Sequence, residues 1–153
     1  MRRIFKVLFL LSITCRLCLS EETSFRRIKI VDTKGKENKA VLTFSDNNKA
    51  VEVLPSKGTA VSIPYAAIEK FSYEFTKRHR VNEGTVLTAP IGIGAVAMLT
   101  KSRSHWLEID YQDEDLPKAF VLRMDKKNYI RILDAIKAHT GKDTEILGNA
   151  NKR

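Results

Sequence analysis

The chain has only two cysteines, Cys15 and Cys18, and both fall in its first twenty residues. A protein that loses this segment has no disulfide and no thiol, so it must be held together by its core alone. That excludes a small disulfide-stapled domain and suits an exported bacterial envelope protein. Histidine is also scarce. His79, His105 and His139 are isolated, without the spacing of a metal-binding set. No serine or cysteine stands in a nucleophile context, and no paired carboxylates suggest acid–base work, so an enzyme is not expected. Asp113, Glu114 and Asp115 lack the ligand pattern of a calcium loop. Gly92 and Gly94 lack the lysine and third glycine of a phosphate-binding loop. There is no internal repeat and no low-complexity linker. No apolar run reaches the ~20 residues that span a bilayer as a helix.

What is present begins with the leader pattern. Arg2, Arg3 and Lys6 precede an apolar run at residues 7–13, and small residues precede Glu21 and Glu22. This predicts a secretory signal peptide over residues 1–20, cleaved after Ser20, although Arg16 sits close to the cut. Lipidation of Cys15 is the alternative fate, with Thr14 a poor match to a lipobox. Removing residues 1–20 takes away four basic and no acidic side chains, so the formal charge falls from +9 to +5. Such a charge favours weak attraction to anionic lipid or polymer and does not by itself indicate nucleic acid.

The remaining length makes one domain, expected over residues 25–147, with a tail at 148–153. Alternation and turn residues predict strands at 25–31, 40–44, 50–54, 59–63 and 70–77. The fifth carries Phe71, Tyr73 and Phe75 on one face. Two more form a hairpin at 105–111 and 119–124, joined by an acidic turn containing Pro117. Along 105–111, Trp106 and Glu108 share one face while His105, Leu107, Ile109 and Tyr111 share the other, as in a half-buried strand. A helix is expected from Asp125, which would cap it, to Gly141, which would end it left-handed. Its apolar face is Tyr129, Ile132, Leu133 and Ile136, with Ile130 beside them. Trp106, Phe71 and Leu133 are expected to share the core.

Seven short strands followed by one amphipathic helix resemble a pleckstrin-homology-like domain. Three stretches add to the likeness: Ile63-Pro-Tyr65-Ala-Ala-Ile68-Glu-Lys-Phe71, the segment from His105 to Tyr111, and Leu122 to Tyr129 followed by Thr140-Gly141. They resemble bacterial GRAM-type and exported pleckstrin-homology-like domains. The resemblance implies a seven-stranded antiparallel barrel capped by one α-helix, acting as a binding module. Lipid-binding members carry basic residues on the first two strands. Here that region has Arg26, Arg27, Lys29, Lys34, Lys36 and Lys39, but Lys39-Ala-Val41 breaks the second half of their motif. The fold thus carries over without its usual ligand.

Residues 85–100 form an uncharged insertion between the fifth and sixth expected strands. Three readings of it are a loop over one mouth of the barrel or an extra hairpin in the sheet, a loop that inserts shallowly into lipid or docks on a partner, and a bilayer span; the first best matches the habit of apolar runs within domains. Its flanks are basic, with Arg78 and Arg80 before it and Lys101 and Arg103 after it. The expected binding residues are Arg26, Arg27, Lys29, Arg78, Arg80, Ile91, Ile93, Lys101 and Arg103. The expected partner is a protein or an anionic membrane surface, with no nucleic acid, metal or small-molecule cofactor. The expected location is periplasmic or secreted. The alternative is a membrane-associated structural envelope protein anchored by residues 85–100.

Overall fold

The computed structural model describes residues 22–31, 37–79, 86–87 and 98–148. The leader, Cys15 and Cys18 lie outside them, as do Arg80, Ile91 and Ile93. Among these residues there are nine strands and one helix: β1 (Thr23–Val31), β2 (Glu37–Ser45), β3 (Ala50–Pro55), β4 (Val61–Pro64), β5 (Ile68–His79), β6 (Val86–Leu87), β7 (Met98–Asp113), β8 (Leu116–Met124), α1 (Tyr129–Thr140) and β9 (Thr144–Leu147). The described residues are mostly β, with one helix near the C-terminus. The strands form one sheet in the order β4-β3-β2-β1-β8-β7-β5-β9, with β6 beside β8. Among the described residues β4 and β9 do not pair with one another, so the sheet is not closed. This corrects the seven-stranded barrel in both strand number and closure.

The additional strands come from two places where the alternation rule is silent. Thr144–Leu147, where no strand was expected, runs parallel to β5, pairing from Phe71↔Thr144 to Glu74↔Leu147. The apolar insertion supplies β6, which pairs in parallel with Lys118 and Ala119 of β8, and the first residues of β7. The hairpin turn is tighter than expected. Glu114 and Asp115 both have positive φ, 50° and 63°, in a two-residue turn that brings Asp113 opposite Leu116. Both central residues being left-handed matches the right-handed twist of the strands. Pro117 is therefore already in β8, opposite Gln112.

One face of the sheet wraps around a single cluster that draws on β1, β2, β3, β4, β5, β7, β8 and α1. Phe44 is fully buried within it. Its ring meets Phe25 edge-on at 6.2 Å and stacks on His139 at 5.5 Å. His139 in turn contacts Asp46 Oδ2 at 3.0 Å and Thr23 Oγ1 at 2.9 Å, which ties the last turn of the helix to β1 and the β2–β3 turn. Ile132, Ala135 and Ile136 are the buried helix residues, with Tyr129 and Leu133 partly buried against the same cluster and Ile130 exposed. The helix begins four residues later than expected. The N-cap is Asn128 and makes no side-chain cap. The amide of Asn128 and that of Tyr129 both donate to the Asp125 carbonyl, so the residues before the helix form a turn. Gly141, at φ 70°, ends the helix as expected by donating its N–H to the Lys137 carbonyl.

The second correction concerns β7. It is buried on both faces at its centre: Leu107 and Ile109 toward the main cluster, Trp106 and Glu108 on the opposite side. Trp106 is fully buried but lies outside the cluster that holds Phe71 and Leu133, so the three do not share one core. The reason is register. Trp106 stands opposite Glu74 and Arg123, on the side of the sheet that also carries buried Ser72, Ala119 and Val121.

Candidate functional site

The first strand contains a fault that shapes the site. Phe25 and Ile28 are three residues apart and in a regular strand would point to opposite faces. Both are in the core, because the pairing with β2 slips between them. Arg27 absorbs the extra residue with a left-handed φ of 66°. A non-glycine residue in that region costs roughly 1–3 kcal/mol, and bulges of this kind re-aim side chains. The result is that Arg26 and Arg27 are both exposed, where strict alternation would turn one of them inward. The bulge is held from outside by Asn128, whose side-chain amide donates to the Arg26 carbonyl at 3.1 Å.

Beside this bulge is an open cavity of about 1050 Å³. Its wall is strongly basic: Arg26, Arg27 and Lys29 come from β1 and Lys39 from β2. Arg103 enters from β7, and Arg123 and Lys126 from the end of β8 and the turn after it. Asp125 is the only acidic side chain among the described residues of the wall, and its Oδ2 lies 3.9 Å from Arg27. Glu37, at the margin, pairs with both Lys29 and Arg123. Among the described residues, Arg26, Lys39, Arg103 and Lys126 enter no ion pair. Apolar surface lies between the charges, from Val41, Leu54, Pro55, Phe75 and Met124.

An aromatic stack backs one side of the cavity. His105 lies 3.9 Å from Tyr129, 4.6 Å from Phe75 and 6.0 Å from Tyr73, centroid to centroid, with the planes close to parallel. Its Nδ1 is 2.8 Å from the Tyr73 hydroxyl. Burial, aided by nearby Lys126, pushes the His105 pKa below its usual value, so this ring is a neutral part of the wall near pH 7. Phe75, at the outer end of the stack, is 46% exposed.

Four of the expected binding residues, Arg26, Arg27, Lys29 and Arg103, line this cavity. Arg78 and Lys101 lie on β5 and β7, while Arg80, Ile91 and Ile93 are outside the described residues. Sequence reasoning named Lys39 only within the basic region of the first two strands, and did not single out Arg123, Lys126, Leu54 or Phe75 as parts of a site. No local signal joins them, since it is the sheet order that brings the end of β3 near the start of β7.

A second concentration of charge lies further along β7, on the side of the sheet that carries Trp106 and Arg123. Glu108 and Asp110 sit side by side on β7, a carboxylate pair that the sequence reading did not expect, although their two-residue spacing on one strand was its signal. Lys70 bridges Asp110 at 3.7 Å and Glu145 of β9 at 3.3 Å. Burial first, and then the charge of Glu108, push the Asp110 pKa from 3.8 up to about 6, against the opposing pull of Lys70. Because the folded value lies above the unfolded one, ionisation works against the fold. The stability held by the protonated carboxyl is complete below about pH 4 and is lost as pH rises through about 6. Asp110→Asn is therefore expected to raise stability by roughly 1–3 kcal/mol at pH 8 and to change it little at pH 4. Urea unfolding at the two pH values checks this, and equal gains at both would remove the ionisation argument.

Among the described residues no helix is long and apolar enough to cross a membrane, and no group of three or more His, Cys, Asp or Glu side chains could hold a metal ion. No protein-family model matches the chain, and no curated protein is similar to it. Among solved structures it is similar to a chain of the Spt16D Pob3N heterodimer, with a TM-score of 0.46 and 10% identity. The alignment covers 88% of this chain and 60% of that one, so the chain spans about three fifths of its neighbour's length.

Proposed function

We propose that the protein is an exported, non-catalytic binding module with a pleckstrin-homology-like fold, which engages an anionic protein or lipid surface through its basic cavity. The observation that carries this reading is the cavity wall. Seven basic side chains from β1, β2, β7, β8 and the turn after β8 surround one recess, and four of them have no acidic partner among the described residues. Gathering like charges costs repulsion, and an oppositely charged ligand relieves it. The order of strands ending in a helix packed on the core supports the fold reading, and the leader pattern of residues 1–20 supports export.

The test is a double charge reversal, Arg26→Glu with Arg103→Glu, at two exposed positions without ion pairs among the described residues. The wild-type protein is expected to be retained on immobilised polyglutamate, or to sediment with anionic phospholipid vesicles, at moderate salt. The variant should lose about tenfold or more in apparent affinity with an unchanged melting temperature. If the wild type is retained by neither surface, or if the variant binds as well as the wild type, the reading fails.

A further inference from the structure

Building on the cavity as the binding site, we propose that its occupant is an extended acidic peptide segment of a partner protein, carrying one aromatic or aliphatic anchor residue. The charges alone would accept any polyanion, and the apolar surface narrows the choice. Five large hydrophobic side chains are strongly exposed among the described residues, and two of them, Leu54 at 58% on β3 and Phe75 at 46% on β5, line this one recess. Exposed apolar area surrounded by charge is the anatomy of a protein interface, where an apolar anchor fills the middle and polar groups form the rim.

The arrangement of the cations points the same way. The four without an acidic partner come from β1, β2, β7 and the turn before α1, so they are distributed around the recess by four separate segments. A single phosphate calls for donors converging on one point. A peptide with carboxylates at several positions calls for a distributed set, and the guanidinium groups of Arg26 and Arg103 suit carboxylates in particular. A volume of about 1050 Å³ stands at the upper end of small-molecule pockets and leaves room for several residues. A bilayer matches the recess less well. A flat lipid surface is met by residues that protrude, whereas Leu54 and Phe75 are in the walls of a concavity.

Fluorescence anisotropy with the full chain tests this. The probe is a fluorescein-labelled decapeptide of aspartate and glutamate with a central phenylalanine, and the control carries serine in that place. The phenylalanine peptide should bind about tenfold more tightly than the control, the gain from burying one large apolar side chain. Phe75→Ala should abolish that difference while leaving the control peptide's affinity unchanged. Because Phe75 also stacks on His105, Leu54→Ser on β3 provides an independent second variant with the same expected result. Arg103→Ala should weaken both peptides about equally. Equal affinity for the two peptides in the wild type overturns the proposal, because charge alone then suffices. So does binding to anionic vesicles without peptide binding; where Arg26→Glu with Arg103→Glu abolishes that vesicle binding, the cavity stands as the binding site and only the peptide is lost. If neither peptide nor vesicle binds, this inference and the functional reading beneath it fall together.

Discussion

Phe44→Ala is expected to destabilise the protein by about 3–5 kcal/mol, the usual cost of emptying a large aromatic site in a packed core. Phe44 is fully buried and its ring holds three parts of the chain together: β1 through Phe25, β2 through its own backbone, and the end of α1 through His139. The lost area is only part of the effect. With the ring removed, His139 loses the surface on which it stacks while remaining tied to Asp46 and Thr23. The last turn then keeps its polar contacts, with Ile136 just before it as the nearest apolar anchor. Chemical denaturation of the variant checks the magnitude, and a double-mutant cycle with His139→Ala should show a coupling between the two positions of about 0.5–1.5 kcal/mol. A loss for Phe44→Ala below about 1 kcal/mol would mean that the helix and the first two strands do not share one core.

Trp106→Ala is expected to cost a similar amount, about 3–5 kcal/mol, for a different reason. Trp106 is buried on the side of the sheet away from the main cluster, and its indole Nε1 donates to the Thr76 carbonyl at 3.2 Å. Truncation therefore empties a second packed layer and leaves a carbonyl of β5 without that donor. Trp106→Phe should recover most of the loss, keeping a deficit of about 0.5–1.5 kcal/mol for the missing hydrogen bond. As the only tryptophan in the chain, Trp106 also reports on its own surroundings. The native emission should be blue-shifted and poorly quenched by iodide, moving to longer wavelength on unfolding. Strong quenching in the native protein, or a cost below about 1 kcal/mol for the alanine variant, would place the indole at the surface.

Alternation by itself placed β1 to β5, β7 and β8. Phe71, Tyr73 and Phe75 share a face as their spacing requires, and Leu107 and Ile109 turn away from Trp106 and Glu108 for the same reason. The helix end was equally legible, because Gly141 needs no partner to adopt a left-handed backbone that other residues avoid. These are local properties, decided by sterics within a few residues. The helix start was less so: Asp125 has a suitable capping side chain, but its carbonyl instead closes a turn, and Asn128 spends its side chain on the Arg26 carbonyl across the fold.

Beyond the β7–β8 hairpin, what depends on pairing was left to the tertiary structure. A two-residue period states that one face of β7 differs from the other, and cannot state that both are buried, since burial depends on what lies over each face. β9 became a strand because β5 had a free edge for Thr144–Leu147 to pair with, not because of its own pattern. The bulge at Arg27 exists because Phe25 and Ile28 both reach the core, and that demand comes from β2 and the helix rather than from β1. The cavity follows from the same cause. Arg26, Lys39, Arg103 and Lys126 are spread over a hundred positions of sequence, and only the order in which β1, β2, β7 and β8 are laid side by side places their charges around one recess.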